Sequence, residues 1–155
     1  GRIRSMRVRD LMTREVITLN ESDSLDMARM EMSLARVRHL PVLRDARVVG
    51  LVTHRDILRA MCSVLAEIDA AEQRQVLRQI PVREIMSSNV ATVAPDAAAA
   101  DAGRTILDSK IGCLPVVEDG GSLVGILTEA DFVDLAVQHL DRGCPGAGRA
   151  TAGDE

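Results

Sequence analysis

Apolar residues at Leu25, Ala28, Met32 and Ala35 recur at helical spacing, and Ser and Asp residues stand ahead of them as capping groups, so the pattern predicts a helix within "SDSLDMARMEMSLARV" at 22–37. The period then shortens. "LPVL" at 40–43 and "VVGLVT" at 48–53 flank the turn-like "RDAR", which predicts a hairpin. A β-branched stretch, "VIT" at 16–18, predicts a strand before the helix, and a second helix is expected behind Thr53. Residues 62–80 lack Gly and Pro and are rich in helix formers, so they are read as extending that helix, with a further turn or two before Pro81 stops it.

The same order recurs further along the chain. Sliding the sequence by 74 positions lays "VRDLMTREVITL" over "VREIMSSNVATV" and "HLPVLRD" over "CLPVVED", and sliding it by 75 lays "VVGLVTHRD" over "LVGILTEAD". One extra residue in "EDGGS" at 118–122 accounts for the step. The match runs from about 8 to 61 and from about 82 to 136. In the second copy "VATV" at 90–93 predicts the strand, and Pro95 and Asp96 are expected to start the helix of "APDAAAADAGRTILDSK". Each copy therefore reads strand, helix, strand, strand, helix.

Composition narrows the function classes. The chain has 155 residues, 46% of them hydrophobic and 27% charged, as in a soluble globular protein. No apolar run approaches the roughly 20 residues that span a bilayer, and the start lacks the apolar core of a signal peptide, so a cytoplasmic setting with no membrane partner is expected. A net charge of -4 argues mildly against nucleic-acid binding, although a local basic patch would survive that average, and one Phe with neither Trp nor Tyr leaves no stacking platform for single strands. Cys62, Cys113 and Cys144 are odd in number and widely spaced, which suits free thiols better than a disulfide framework or a zinc site. The Gly- and Ala-rich segment from 141 to 155 is read as a flexible tail.

Thr53-x-x-Asp56 and Thr128-x-x-Asp131 each follow a Gly and a short apolar run. This spacing suits a capping box, in which the Thr oxygen accepts an N–H one turn into the helix and the acid reaches back. A helix start also presents free N–H groups that favour an anion. The two uses are compatible.

With the repeat, the two LPV motifs and the doubled Thr-x-x-Asp in register, the chain resembles a tandem pair of CBS domains, a Bateman module. The resemblance covers roughly 8–138. It implies an α+β fold of two βαββα repeats, related by a pseudo-two-fold axis and packed through their sheets. Repeat one is placed at 8–66, a helical linker at 67–81 and repeat two at 82–140. It further implies a regulatory module, not an enzyme, with no required cofactor. An adenosine compound (AMP, ADP, ATP or S-adenosylmethionine) is the expected ligand, a homodimer the expected assembly, and an unidentified effector protein the expected partner. A structural or dimerisation module with degenerate clefts is the alternative.

By the family's pattern each cleft joins the Thr and Asp of one copy to the opening and pre-LPV segments of the other. Cleft one is expected to hold Thr53, Arg55 and Asp56, facing Ser87, Val90, Ile111, Gly112 and Cys113. Cleft two is expected to hold Thr128, Ala130 and Asp131, facing Thr13, Val16 and the stretch Val37, Arg38, His39. Arg38 and His39 are counted with cleft one as well, and Arg55 has only Ala130 as its counterpart, so the Thr53 cleft is the one expected to take phosphate. Enzyme motifs are lacking. "HRDIL" at 54–58 echoes a kinase loop without its other parts, and His39, His54 and His139 have no metal-ligand spacing.

Overall fold

In the computed structural model, which describes residues 2–64 and 67–143, the chain runs α1 (Val8–Leu11), β1 (Leu19–Asn20), α2 (Leu25–Ala35), β2 (His39–Arg44), β3 (Arg47–Thr53), α3 (His54–Val64) and α4 (Ala70–Gln79). It continues through α5 (Ala99–Ser109), β4 (Cys113–Val117), β5 (Leu123–Thr128) and α6 (Glu129–Gly143). Short 3-10 turns occupy Arg2–Ser5 and Val82–Glu84.

Helix α2 starts where the Ser24 side chain accepts the Met27 N–H at 3.1 Å, and it buries Leu25, Ala28 and Met32. Helix α5 repeats the plan with Ala99, Ala102 and Ile106 buried. Both end on a long cation in the left-handed conformation, Arg36 at φ 55 and Lys110 at φ 53. The hairpins match too. Strands β2 and β3 pair antiparallel, as do β4 and β5, with register shifts at Val42/Leu43 and Val116/Val117. The first turn uses Asp45 and Ala46 at positive φ, while the longer second one uses Gly120 and Gly121.

Four local expectations are corrected. The strand expected at 16–18 is displaced to Leu19–Asn20, which pairs parallel with β2, and the one at 90–93 shrinks to a single bridge between Val93 and Val116. Just upstream, the backbones of Thr13 and Ser87 pair with β5 and β3 of the opposite copies, and the chain must leave those pairings before it reaches its own sheet. Helix α5 begins at Ala99, after Ala98, rather than at Pro95 and Asp96. The carbonyls of Pro95 and Ala97 instead accept the N–H groups of Arg9 and Val8, both at 2.9 Å, and Asp96 pairs with Arg9. The continuous helix expected across 62–80 is two helices. Asp69 accepts the Glu72 N–H at 2.9 Å and starts α4, which packs against α2 and buries Leu77. The tail expected from 141 begins inside α6, and its remainder, 144–155, lies outside the described residues.

Two aliphatic cores result, and each takes in the opening segment of the other copy. Val82 packs with Leu25, Leu40, Val52 and Leu77, while Val8 packs with Ala102, Ile106, Leu114 and Leu127. Gly50 and Gly125 permit this exchange. The sulfur of Met86 lies where a side chain on residue 50 would begin, and Met12 covers residue 125 in the same way.

Candidate functional site

Strand β3 runs into α3 without a loop, and its last residue, Thr53, sits opposite His39 in the hairpin. The helix start is closed by a complete capping box. The Asp56 N–H donates to Thr53 Oγ1 at 3.2 Å, and the Thr53 N–H donates to Asp56 Oδ2 at 2.8 Å. At the second copy the Thr128 N–H donates to Asp131 Oδ2 at 2.8 Å, but the Thr128 hydroxyl donates to that oxygen as well, at 3.4 Å. The other oxygen, Oδ1, accepts the Thr13 hydroxyl at 2.9 Å. Asp131 thus ties the two copies together. Ser87, the counterpart of Thr13, pairs with Leu51 through its backbone and forms no such hydroxyl bond to Asp56.

Beside the Thr53 cap lies a cleft of about 680 Å³, within the range of small-ligand sites. Arg38, His39, Thr53 and Arg55 line it from the first copy, and Ser87, Val90, Ile111, Gly112 and Cys113 from the second. All of these are residues expected there. Asp56 stands behind Thr53 in the capping box and is absent from the lining. Arg38 and His39, counted with both clefts from the sequence, line this one. Leu51, His54, Leu58, Asn89, Ala91, Lys110 and Glu129 line it too and were missed. Position supplied the missing signal: His54 and Glu129 directly follow the two threonines, Leu58 lies one helical turn on, and Lys110 ends α5 just before Ile111.

For the second cleft, the hydrogen bonds bring together Thr13, Thr128 and Asp131. Ala130 is exposed on the first turn of α6, Val16 is half-buried and Val37 is exposed.

The charges of the first cleft are uneven. Arg38, Arg55 and Lys110 face a single lining carboxylate, Glu129, and among the described residues none of the three cations is held in an ion pair. His39 packs its ring into the space that Gly112 leaves free of a side chain. Burial lowers its pKa from 6.5, Arg38 acts in the same direction, and the smaller opposing effects of Glu129 and Asp56 do not reverse it. Burial also pushes the Cys113 thiol up to about 12, so it stays protonated and is a poor nucleophile. Among the described residues no cluster of His, Cys, Asp and Glu could hold a metal ion, and no helix is long and apolar enough to cross a membrane.

The pattern of the CBS domain family matches residues 8–63 and 82–137. A CBS domain-containing protein of Dictyostelium discoideum is 28% identical over 135 residues, covering 86% of this chain and 93% of its own. A homoserine O-acetyltransferase of Methanohalophilus mahii is 34% identical over 78% of this chain, which spans only 22% of that longer protein. Among solved structures, CBSX2 in complex with AMP is similar at a TM-score of 0.72 and 29% identity, over 86% of this chain and 98% of that one. The CBS domain pair of MJ0100 in complex with 5′-methylthioadenosine and S-adenosyl-L-methionine is similar at a TM-score of 0.72 and 25% identity, with the same coverage of 86% and 98%.

Proposed function

The chain belongs to the CBS-domain family, and from that premise we propose that it is a regulatory module that senses adenosine compounds, AMP, ADP, ATP or S-adenosylmethionine, in clefts between its two repeats. The observation that carries this reading is the Thr53 cleft: apolar walls from both copies, a capped helix start and cations that are in no ion pair among the described residues. Val90 and Ile111 would cover the purine. Asp56, behind the lining, would accept the ribose hydroxyls on the carboxylate oxygen outside the capping box. The side chains of Thr53, Arg38 and Arg55 would hold phosphate, because the His54 and Asp56 N–H groups at the start of α3 already donate to Arg38 and Thr53. Ligands printed for two similar structures, AMP for one and S-adenosyl-L-methionine with 5′-methylthioadenosine for the other, support the same class.

In this reading the module spans 8–140, acts in the cytoplasm as a homodimer and relays occupancy to an effector protein. Helix α6 supports the pairing, since it buries none of its residues and exposes Val133, Val137 and Leu140. Relay requires the ligand to favour one arrangement of the copies over another. The alternative, a dimerisation module with degenerate clefts, gains support at the second site, where Thr13 already occupies Asp131.

A thermal melt with each of the four compounds at millimolar concentration is the test. Binding to the folded state alone raises the midpoint by mass action. No shift with any of them rejects the sensor reading and leaves the dimerisation module.

A further inference from the structure

Lys110 is pinned by the main chain. It closes α5 in the left-handed conformation at φ 53, where glycine is the residue of lowest strain, yet both copies carry a long cation there, Lys110 and Arg36. A cation at a helix C-terminus suits the helix dipole, and that alone could explain the charge. It does not explain the company. Lys110 lines the Thr53 cleft together with Arg38 and Arg55, although the three come from separate segments, the end of α5, the connection before β2 and the first turn of α3, and from both copies. Five arginines elsewhere are held by acids, Arg9 by Asp96, Arg29 and Arg78 by Asp26, Arg44 by Glu21 and Arg104 by Asp101. Others such as Arg36 and Arg74 stand singly, in no ion pair among the described residues, so what sets the cleft apart is that three cations without an ion pair share one cavity. At the cleft none of the three is in an ion pair among the described residues, in a chain whose net charge is -4.

We propose that Lys110 is a specificity-determining residue of this cleft, a cation from the second copy that closes with Arg38 and Arg55 of the first on the phosphate of an adenosine 5′-phosphate, and that selects it over adenosine and S-adenosylmethionine. The inference rests on the adenosine-ligand reading and adds the charge of the ligand and a residue that reads it. Three permanent cations against the Glu129 carboxylate leave an excess of positive charge. A phosphate monoester carries about −1.5 to −2 at neutral pH and offsets that excess. An uncharged nucleoside does not, and a sulfonium adds to it. Because the cations belong to both copies, the phosphate would also draw the copies together, which a relay needs.

Titration calorimetry with AMP, adenosine and S-adenosylmethionine on the full chain tests this, using wild type, Lys110→Met and Lys110→Arg. The expected outcome is that Lys110→Met weakens AMP about tenfold, the scale of one lost charge-assisted hydrogen bond, while adenosine binding is unchanged and Lys110→Arg restores AMP. AMP affinity in the wild type should also fall as salt rises from about 0.05 to 0.3 M. Equal losses for AMP and adenosine in Lys110→Met would show a structural role and overturn the proposal, as would no loss for either. Should Lys110→Met fail to fold, salt-independent AMP binding by the wild type would overturn it instead. Tight S-adenosylmethionine binding equal to that of AMP would reject charge selection while leaving the adenosine reading standing. Failure of all three compounds to bind the wild type would reject both.

Discussion

Asp56 accepts the Thr53 N–H on one oxygen, whereas Asp131 accepts the Thr128 N–H on one and the Thr13 hydroxyl on the other. A ligand at the second site would have to displace Thr13, so Asp56→Ala is expected to weaken adenosine-nucleotide binding about tenfold and Asp131→Ala much less. Equal losses by titration calorimetry would reject this ranking of the clefts. The threonine and aspartate pairs were legible in the sequence because the motif is local. The Thr13 contact was not, since it joins residues 118 positions apart. His39 carries a second prediction. Its folded pKa lies below 6.5, chiefly through burial, so the unfolded chain binds more protons as pH falls. The stability contributed by the neutral imidazole is therefore fully present above 6.5 and is lost as pH drops through the lowered folded value. Urea midpoints should fall more between about pH 7 and 5.5 in the wild type than in His39→Gln; parallel curves would exclude His39 as the source.

At the scale of elements, the helices with one buried face were readable from period alone, and α2 and α5 fall within their expected segments. The division of 62–80 into two helices was not. Its residues are good helix formers throughout, and Asp69 becomes a cap only once Val76 and Leu77 turn back onto the first core. Asp26, buried on α2, fastens this return through Arg29 at 2.9 Å on its own helix and Arg78 at 3.5 Å on α4. Leu77→Ala is expected to cost about 2–5 kcal/mol, read as a lower midpoint in chemical denaturation. A cost like that of an exposed site would mean that α4 is an undocked linker.

Across the whole molecule the decisive feature is the exchange of opening segments, in which Val8 completes the second core and Val82 the first. Val8→Ala should therefore loosen a distant part of the chain, at a cost of about 2 kcal/mol. Amide hydrogen exchange should quicken in α5, β4 and β5 while α2 and α4 keep their protection. The opposite pattern would refute the exchange. Sequence by itself determined the duplication, the hairpin and the buried-face helix of each copy, the aliphatic character of both cores and the two capping motifs, because periodicity, turn chemistry and capping act over a few residues. Tertiary structure alone decided that each copy completes the other, that Asp131 is engaged by Thr13 while Asp56 is not, and that Lys110 joins Arg38 and Arg55 on one cleft. Those outcomes depend on where two nearly identical halves meet, and a one-dimensional pattern does not encode the position of their shared axis.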